Sequence, residues 1–159
     1  MKNRSKLKGF TLVELLVVVG LIAILSGGTI AGYTKFSDKQ KVVAEAQKLK
    51  VNLRKAQAKM LSGVRPSGCK GMLIGYRIEF NSTNYTIGAD CQTNGIQYIE
   101  TISLSSGITL SESFSGGNAI TFKPLTQGAS ENGVITFTNS ATGDSAAIQV
   151  VTSGDISGP

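Results

Sequence analysis

One carboxylate stands where a carboxylate is costly. Glu14 lies in the run Phe10–Tyr33, FTLVELLVVVGLIAILSGGTIAGY, which carries no other charge. An ionisable group inside an apolar span costs about 2.5–3.5 kcal/mol on insertion scales, so it calls for a partner or a task. Two further residues have chemistry to offer. Cys69 and Cys91 either pair in an oxidising compartment, closing a loop worth about 3 kcal/mol, or remain two small buried thiols. The chain has no histidine. A Ser-His-Asp or Cys-His arrangement therefore lacks its base, and a zinc site lacks enough nitrogen and sulfur ligands. Asp90, Glu131, Asp144 and Asp155 fall in or near loops, where calcium is conceivable, yet none has the spacing of an EF-hand loop. No covalent catalysis and no cofactor are expected.

What positions Glu14 is the stretch around it. The run is long enough to cross a bilayer as a helix, and it follows the short basic leader MKNRSKLKG. Three readings compete. A secretory signal peptide would be cut after Thr29-Ile-Ala31, leaving Glu14 inside its apolar region. An ordinary anchor helix explains the length and the leader but leaves the carboxylate unpaired. If instead the leader is removed between Gly9 and Phe10, the new amino terminus is a cation about one helical turn, ~6 Å, from Glu14. The carboxylate then meets its own terminus or that of a neighbouring copy, and burial favours the pair over either charge alone.

The run Lys8-Gly9-Phe10-Thr11-Leu12-Val13-Glu14-Leu15-Leu16 resembles the processing site of type IV prepilins and type II secretion pseudopilins. The resemblance implies cleavage between Gly9 and Phe10 by a prepilin peptidase and N-methylation of Phe10. It also implies that Glu14 sets the register between subunits, with an inner-membrane assembly platform and other pilin subunits as partners. The four basic residues of the leader favour a cytoplasmic N-terminus, in keeping with processing on that face. The expected location is a single pass through the inner membrane with the globule outside, followed by a filament.

Beyond Tyr33 the pattern is amphipathic. Val42, Ala46, Leu49, Leu53, Ala56 and Met60 recur at helical spacing, with Lys39, Gln40, Lys48, Lys50, Lys55 and Lys59 between them. Ser62-Gly63 is the first stop signal, so a helix from Phe10 to Leu61, about 78 Å long, is expected. Gly27, Gly28 and Gly32 serve either close helix packing or local melting on assembly. The lysine stripe is a solvated face, or else meets anionic headgroups or the acidic globule of an adjacent subunit. The charge is divided accordingly. Eleven basic residues lie between Lys35 and Arg77, whereas from Ile78 onward Lys123 stands against seven carboxylates, a balance of −6. That makes binding of nucleic acid by the globule unfavourable.

After Pro66, short β-rich runs alternate with turn residues: 72–80, 84–88, 96–104, 108–111, 119–123, 134–138 and 146–152. Alternation in Ile120/Phe122, Ile135/Phe137 and Ile148/Val150 predicts antiparallel strands with one buried face. The expected fold class is α+β, one long N-terminal helix on an antiparallel sheet. Its parts are a leader (1–9), an assembly or membrane half of the helix (10–33), an amphipathic half (34–62) and a β globule (63–159). The order Ile120–Gly128, Gly133–Phe137, Ile148–Ile156 is similar to the C-terminal pattern of H-type minor pseudopilins and FimT-like minor pilins. Those families place a basic residue after the last Gly, where this chain has Asp155. The resemblance implies a minor pilin or pseudopilin. A major pilin, a DNA-uptake pilin and a secreted or anchored binding module are the alternatives.

Overall fold

The computed structural model describes residues 9–124 and 128–159, with backbone alone for 27–34. Helix α1 runs Leu12–Leu61. It begins two residues later than the apolar pattern predicts, because Thr11 caps it. The Thr11 hydroxyl oxygen accepts the N–H of Glu14 at 3.2 Å, and its carbonyl accepts the N–H of Leu15. The first contact satisfies a donor that has no partner within the helix, and the second is the first bond of the helical ladder. At the other end Gly63 adopts φ 64°. The N–H of Val64 reaches the carbonyl of Lys59 and that of Gly63 reaches Met60, a Schellman turn that only a residue without Cβ enters cheaply.

The chain divides into two units, residues 1–37 and 38–159. In the first, every described side chain of α1 up to Phe36 is exposed. Among the described residues no helix is long and apolar enough to cross a membrane. The expected span extends through residues 27–34, whose side chains lie outside the described residues; the backbone there is helical. Residues 1–8 of the leader also lie outside them.

In the second unit Val42, Ala46, Leu49, Leu53, Ala56 and Met60 are all buried in one core with strand residues. The strands are β1 (Leu73–Asn81), β2 (Asn84–Cys91), β3 (Gly95–Ser103), β4 (Ile108–Glu112), β5 (Ala119–Phe122), β6 (Gly133–Asn139), β7 (Ser145–Val150) and β8 (Ile156–Ser157). Their pairing differs from the single sheet expected. They form two antiparallel four-stranded sheets, ordered β3-β2-β1-β5 and β4-β6-β7-β8. The chain leaves the first sheet at the turn before Gly107 (φ 81°), pairs β4 with β6, and meanwhile sends β5 back to the free edge of β1. Such long-range pairing leaves no mark on local periodicity. β8, only two residues long, falls below any pattern signal.

Alternation places Tyr76, Ile78 and Phe80 of β1 in the core beside Tyr85, Ile87, Ala89 and Cys91 of β2. Cys69 and Cys91 are joined in a disulfide with Cα atoms 5.6 Å apart, which ties the loop after α1 to the end of β2.

Candidate assembly surface at the helix N-terminus

Gly9, Phe10 and Glu14 stand together at the start of α1. Gly9 and Phe10 precede the first helical turn, and Phe10 is 79 % exposed. Glu14 is the third helical residue and is exposed. Among the described residues its carboxylate has no ion-pair partner. Around it Leu12, Val13, Leu15, Leu16, Val17 and Val18 present apolar side chains on every face of the helix. A helix apolar all round is one that another apolar phase covers, whether lipid or other helices. An acid within it favours the neighbour that brings a cation.

The cap residue is the part that the sequence reading passed over. Thr11-Leu12-Val13-Glu14 has the spacing of a capping box, Thr at the cap and Glu three positions on. That signature marks the true helix start. It also separates the roles: Glu14 belongs to the helix, whereas the Gly9–Phe10 bond lies in chain that is not helical.

The globule shows what became of the other candidates. Part of the lysine stripe is engaged within the subunit. Lys50 Nζ donates to the Gly158 carbonyl at 2.8 Å, Arg54 to the Ile156 carbonyl at 3.4 Å, and Gln57 to the Gly154 carbonyl at 2.9 Å. These residues strap the β8 segment onto α1. Lys41 pairs with Asp38 at 2.8 Å. The loop carboxylates Asp90, Glu131, Asp144 and Asp155 form no common site among the described residues. Glu131 accepts from the Gly116 N–H and the Ser115 hydroxyl, Asp144 accepts from the Thr142 hydroxyl, and no carboxylate cluster forms among the described residues.

Two buried polar groups were not singled out from sequence. Glu45 is 7 % exposed on the core side of α1; its Oε1 accepts both the N–H and the hydroxyl of Ser105. Lys48 Nζ lies 3.9 Å from Oε2. Tyr85 is buried and accepts a hydrogen bond from the Asn52 amide at 2.7 Å. Burial pushes its phenol up to about 12; the Glu45 and Glu100 charges act in the same sense, and the Asn52 bond opposes them. At the surface the Tyr98 hydroxyl donates to Glu79, and that bond to a carboxylate raises its pKa.

Residues 4–30 match the family described as the prokaryotic N-terminal methylation motif. No curated protein matches the chain. Among solved structures the fold is similar to that of the minor pseudopilin EPSH from the type II secretion system of Vibrio cholerae. The TM-score is 0.58 at 10 % identity, over 76 % of this chain and 94 % of that one. The chain thus combines a prokaryotic N-terminal methylation motif at the start of its helix with an α+β fold similar to that of a minor pseudopilin.

Proposed function

We propose that the chain is made as a precursor, cut between Gly9 and Phe10 by a prepilin peptidase, and N-methylated at Phe10. The apolar helix is held in the inner membrane with its N-terminus in the cytoplasm. An assembly platform then draws it into a filament. There Glu14 pairs with the Phe10 amino group of a neighbour and sets the register, while the globule carries out no covalent chemistry. The observation that carries this reading is an exposed, all-apolar helix start whose one carboxylate has no described ion-pair partner, placed directly after a non-helical Gly9–Phe10 bond. Likeness to a minor pseudopilin fold supports a minor, tip-proximal place in a type II secretion pseudopilus or a type IV pilus.

The mass of the mature N-terminus tests this. A chain beginning at Phe10 with one added methyl group is the expected result. A chain beginning at Gly32 would make this a secreted globule and overturn the proposal.

A further inference from the structure

The chain has two Asn-Gly pairs, Asn94-Gly95 and Asn132-Gly133, and the first of them stands at the disulfide. Asn94 lies in the turn between β2 and β3, and Gly95 opens β3 opposite Cys91. The Asn94 side chain reaches across to the loop after α1 and holds both neighbours of Cys69. Its Nδ2 donates to the Gly68 carbonyl at 2.8 Å, and its Oδ1 accepts the Lys70 N–H at 2.9 Å. The Thr93 N–H to the Lys70 carbonyl and the Gln92 N–H to the Met72 carbonyl complete this clasp. From residue 67 to residue 72 every side is exposed except Cys69, which is buried. Water competes for each of these hydrogen bonds, so the covalent link to Cys91 sets how often the clasp opens.

A glycine after asparagine leaves no Cβ to hinder the next backbone nitrogen from reaching the side-chain carbonyl carbon. Gly95 adopts φ 65° with open space where a side chain would be. What restrains that reaction in the fold is the clasp, which commits both ends of the Asn94 amide to Gly68 and Lys70. Asn132-Gly133 is restrained differently. The Asn132 Oδ1 accepts the Thr152 N–H at 2.6 Å. Gly133 is paired with Val150 in β6, and the Phe114 ring lies where its side chain would be. None of those contacts involves the disulfide.

We infer that Asn94 is a modification site guarded by the disulfide: where Cys69 and Cys91 are reduced or were never joined, Asn94 deamidates. The Gly95 nitrogen attacks Asn94 Cγ, the new N–C bond closes a succinimide, and the bond from Cγ to Nδ2 breaks. Ammonia leaves with the proton of the attacking nitrogen. Water then opens the ring at either carbonyl, giving aspartate or isoaspartate. In the product a carboxylate oxygen replaces the Nδ2 donor and faces the Gly68 carbonyl, acceptor against acceptor, so the clasp does not re-form. Isoaspartate also lengthens the backbone of the turn. The change is a one-way mark on subunits that lack the bond. It follows from the globule alone and holds whether or not the chain enters a filament.

The test incubates the full-length chain, purified in detergent, in three forms: oxidised, reduced with dithiothreitol, and carrying Cys69→Ser with Cys91→Ser. Peptide mass mapping in isotopically heavy water counts conversion at Asn94 and at Asn132. Both disulfide-free forms should convert Asn94 on the order of a hundredfold faster than the oxidised chain, with Asn132 unchanged. Equal Asn94 rates in all three forms overturn the inference. So does a rise at Asn132 in step with Asn94, since the disulfide would then guard the whole fold and not this amide. A second variant needs no loss of the disulfide. In the oxidised chain Asn94→Asp, which carries the product's carboxylate, should be reduced by dithiothreitol about tenfold faster than the parent, whereas Asn132→Asp keeps the parent's rate. An Asn94→Asp chain that resists reduction as the parent does also overturns it.

Discussion

The hydroxyl of Ser105 donates to the carboxylate of Glu45 at 2.5 Å, and the Ser105 backbone N–H donates to the same oxygen at 3.2 Å. Sixty residues separate the two in sequence. The pair fastens α1 to the turn at which the chain passes from the first sheet to the second. Charge-assisted bonds of this kind are the stronger ones, and leaving a buried partner unmatched carries the full desolvation cost. Glu45→Ala should lower the stability of the globule by about 2–3 kcal/mol, and Glu45→Gln, which keeps an acceptor, by about 1 kcal/mol. Urea unfolding followed by circular dichroism measures both; equal losses would mean that only the packing of the side chain matters.

Gly75 sits where β1 passes β5. A Cβ there would lie 2.6 Å from Thr121 Cγ2 and 2.7 Å from the Phe122 carbonyl oxygen. Backbone cannot yield as a flexible side chain does, so Gly75→Ala should cost about 1–3 kcal/mol. The same substitution at Gly9, which has open space around it, should leave stability unchanged. A thermal melt of each variant provides the comparison.

Reduction of the Cys69–Cys91 disulfide opens a closure spanning 22 residues. The loss should be about 3 kcal/mol in unfolding free energy. Denaturant midpoints with and without a reductant measure it, and a Cys69→Ser, Cys91→Ser chain should match the reduced protein.

Tyr85 sets a high-pH limit. Burial raises its pKa to about 12 from an ordinary 10, so the folded state holds the phenol proton more tightly than the unfolded chain does. Its contribution is full below pH 10 and is lost as pH rises from about 10 to about 12. Absorbance titration should find one tyrosine ionising last, near the pH at which the globule unfolds. Tyr85→Phe should remove that phase, at the cost of leaving the Asn52 amide unmatched.

Glu14→Ala tests the assembly reading. The helix becomes more apolar, so membrane insertion should persist. Incorporation into filaments should fall by about tenfold or more, as expected when one member of a buried ion pair is removed. Immunoblots of sheared filaments against membrane fractions give the ratio; unchanged incorporation would show that the carboxylate does not set the register.

Much of the architecture is legible in local spacing. The buried stripe Val42–Met60 follows from the 3.6-residue period, and seven of the strands follow from alternation bounded by turn residues. The helix stop at Gly63 follows from the one residue type that accepts its φ cheaply. The Thr11 cap was legible too, in the Thr-x-x-Glu spacing, although the apolar run drew the expected start back to Phe10.

Sequence by itself determined the N-terminal motif, the division of charge and the α+β class, because each depends on neighbours within one or two turns of chain. Only the tertiary structure decided that the strands form two sheets and that β8 is strapped to α1 by Lys50, Arg54 and Gln57. It alone put Glu45 into the core. These outcomes depend on which distant segment meets which, a matter of burying apolar faces and matching their polar groups across the whole globule. Gly9, Phe10 and Glu14 belong to the first kind: the motif that holds them is local sequence, within residues 4–30.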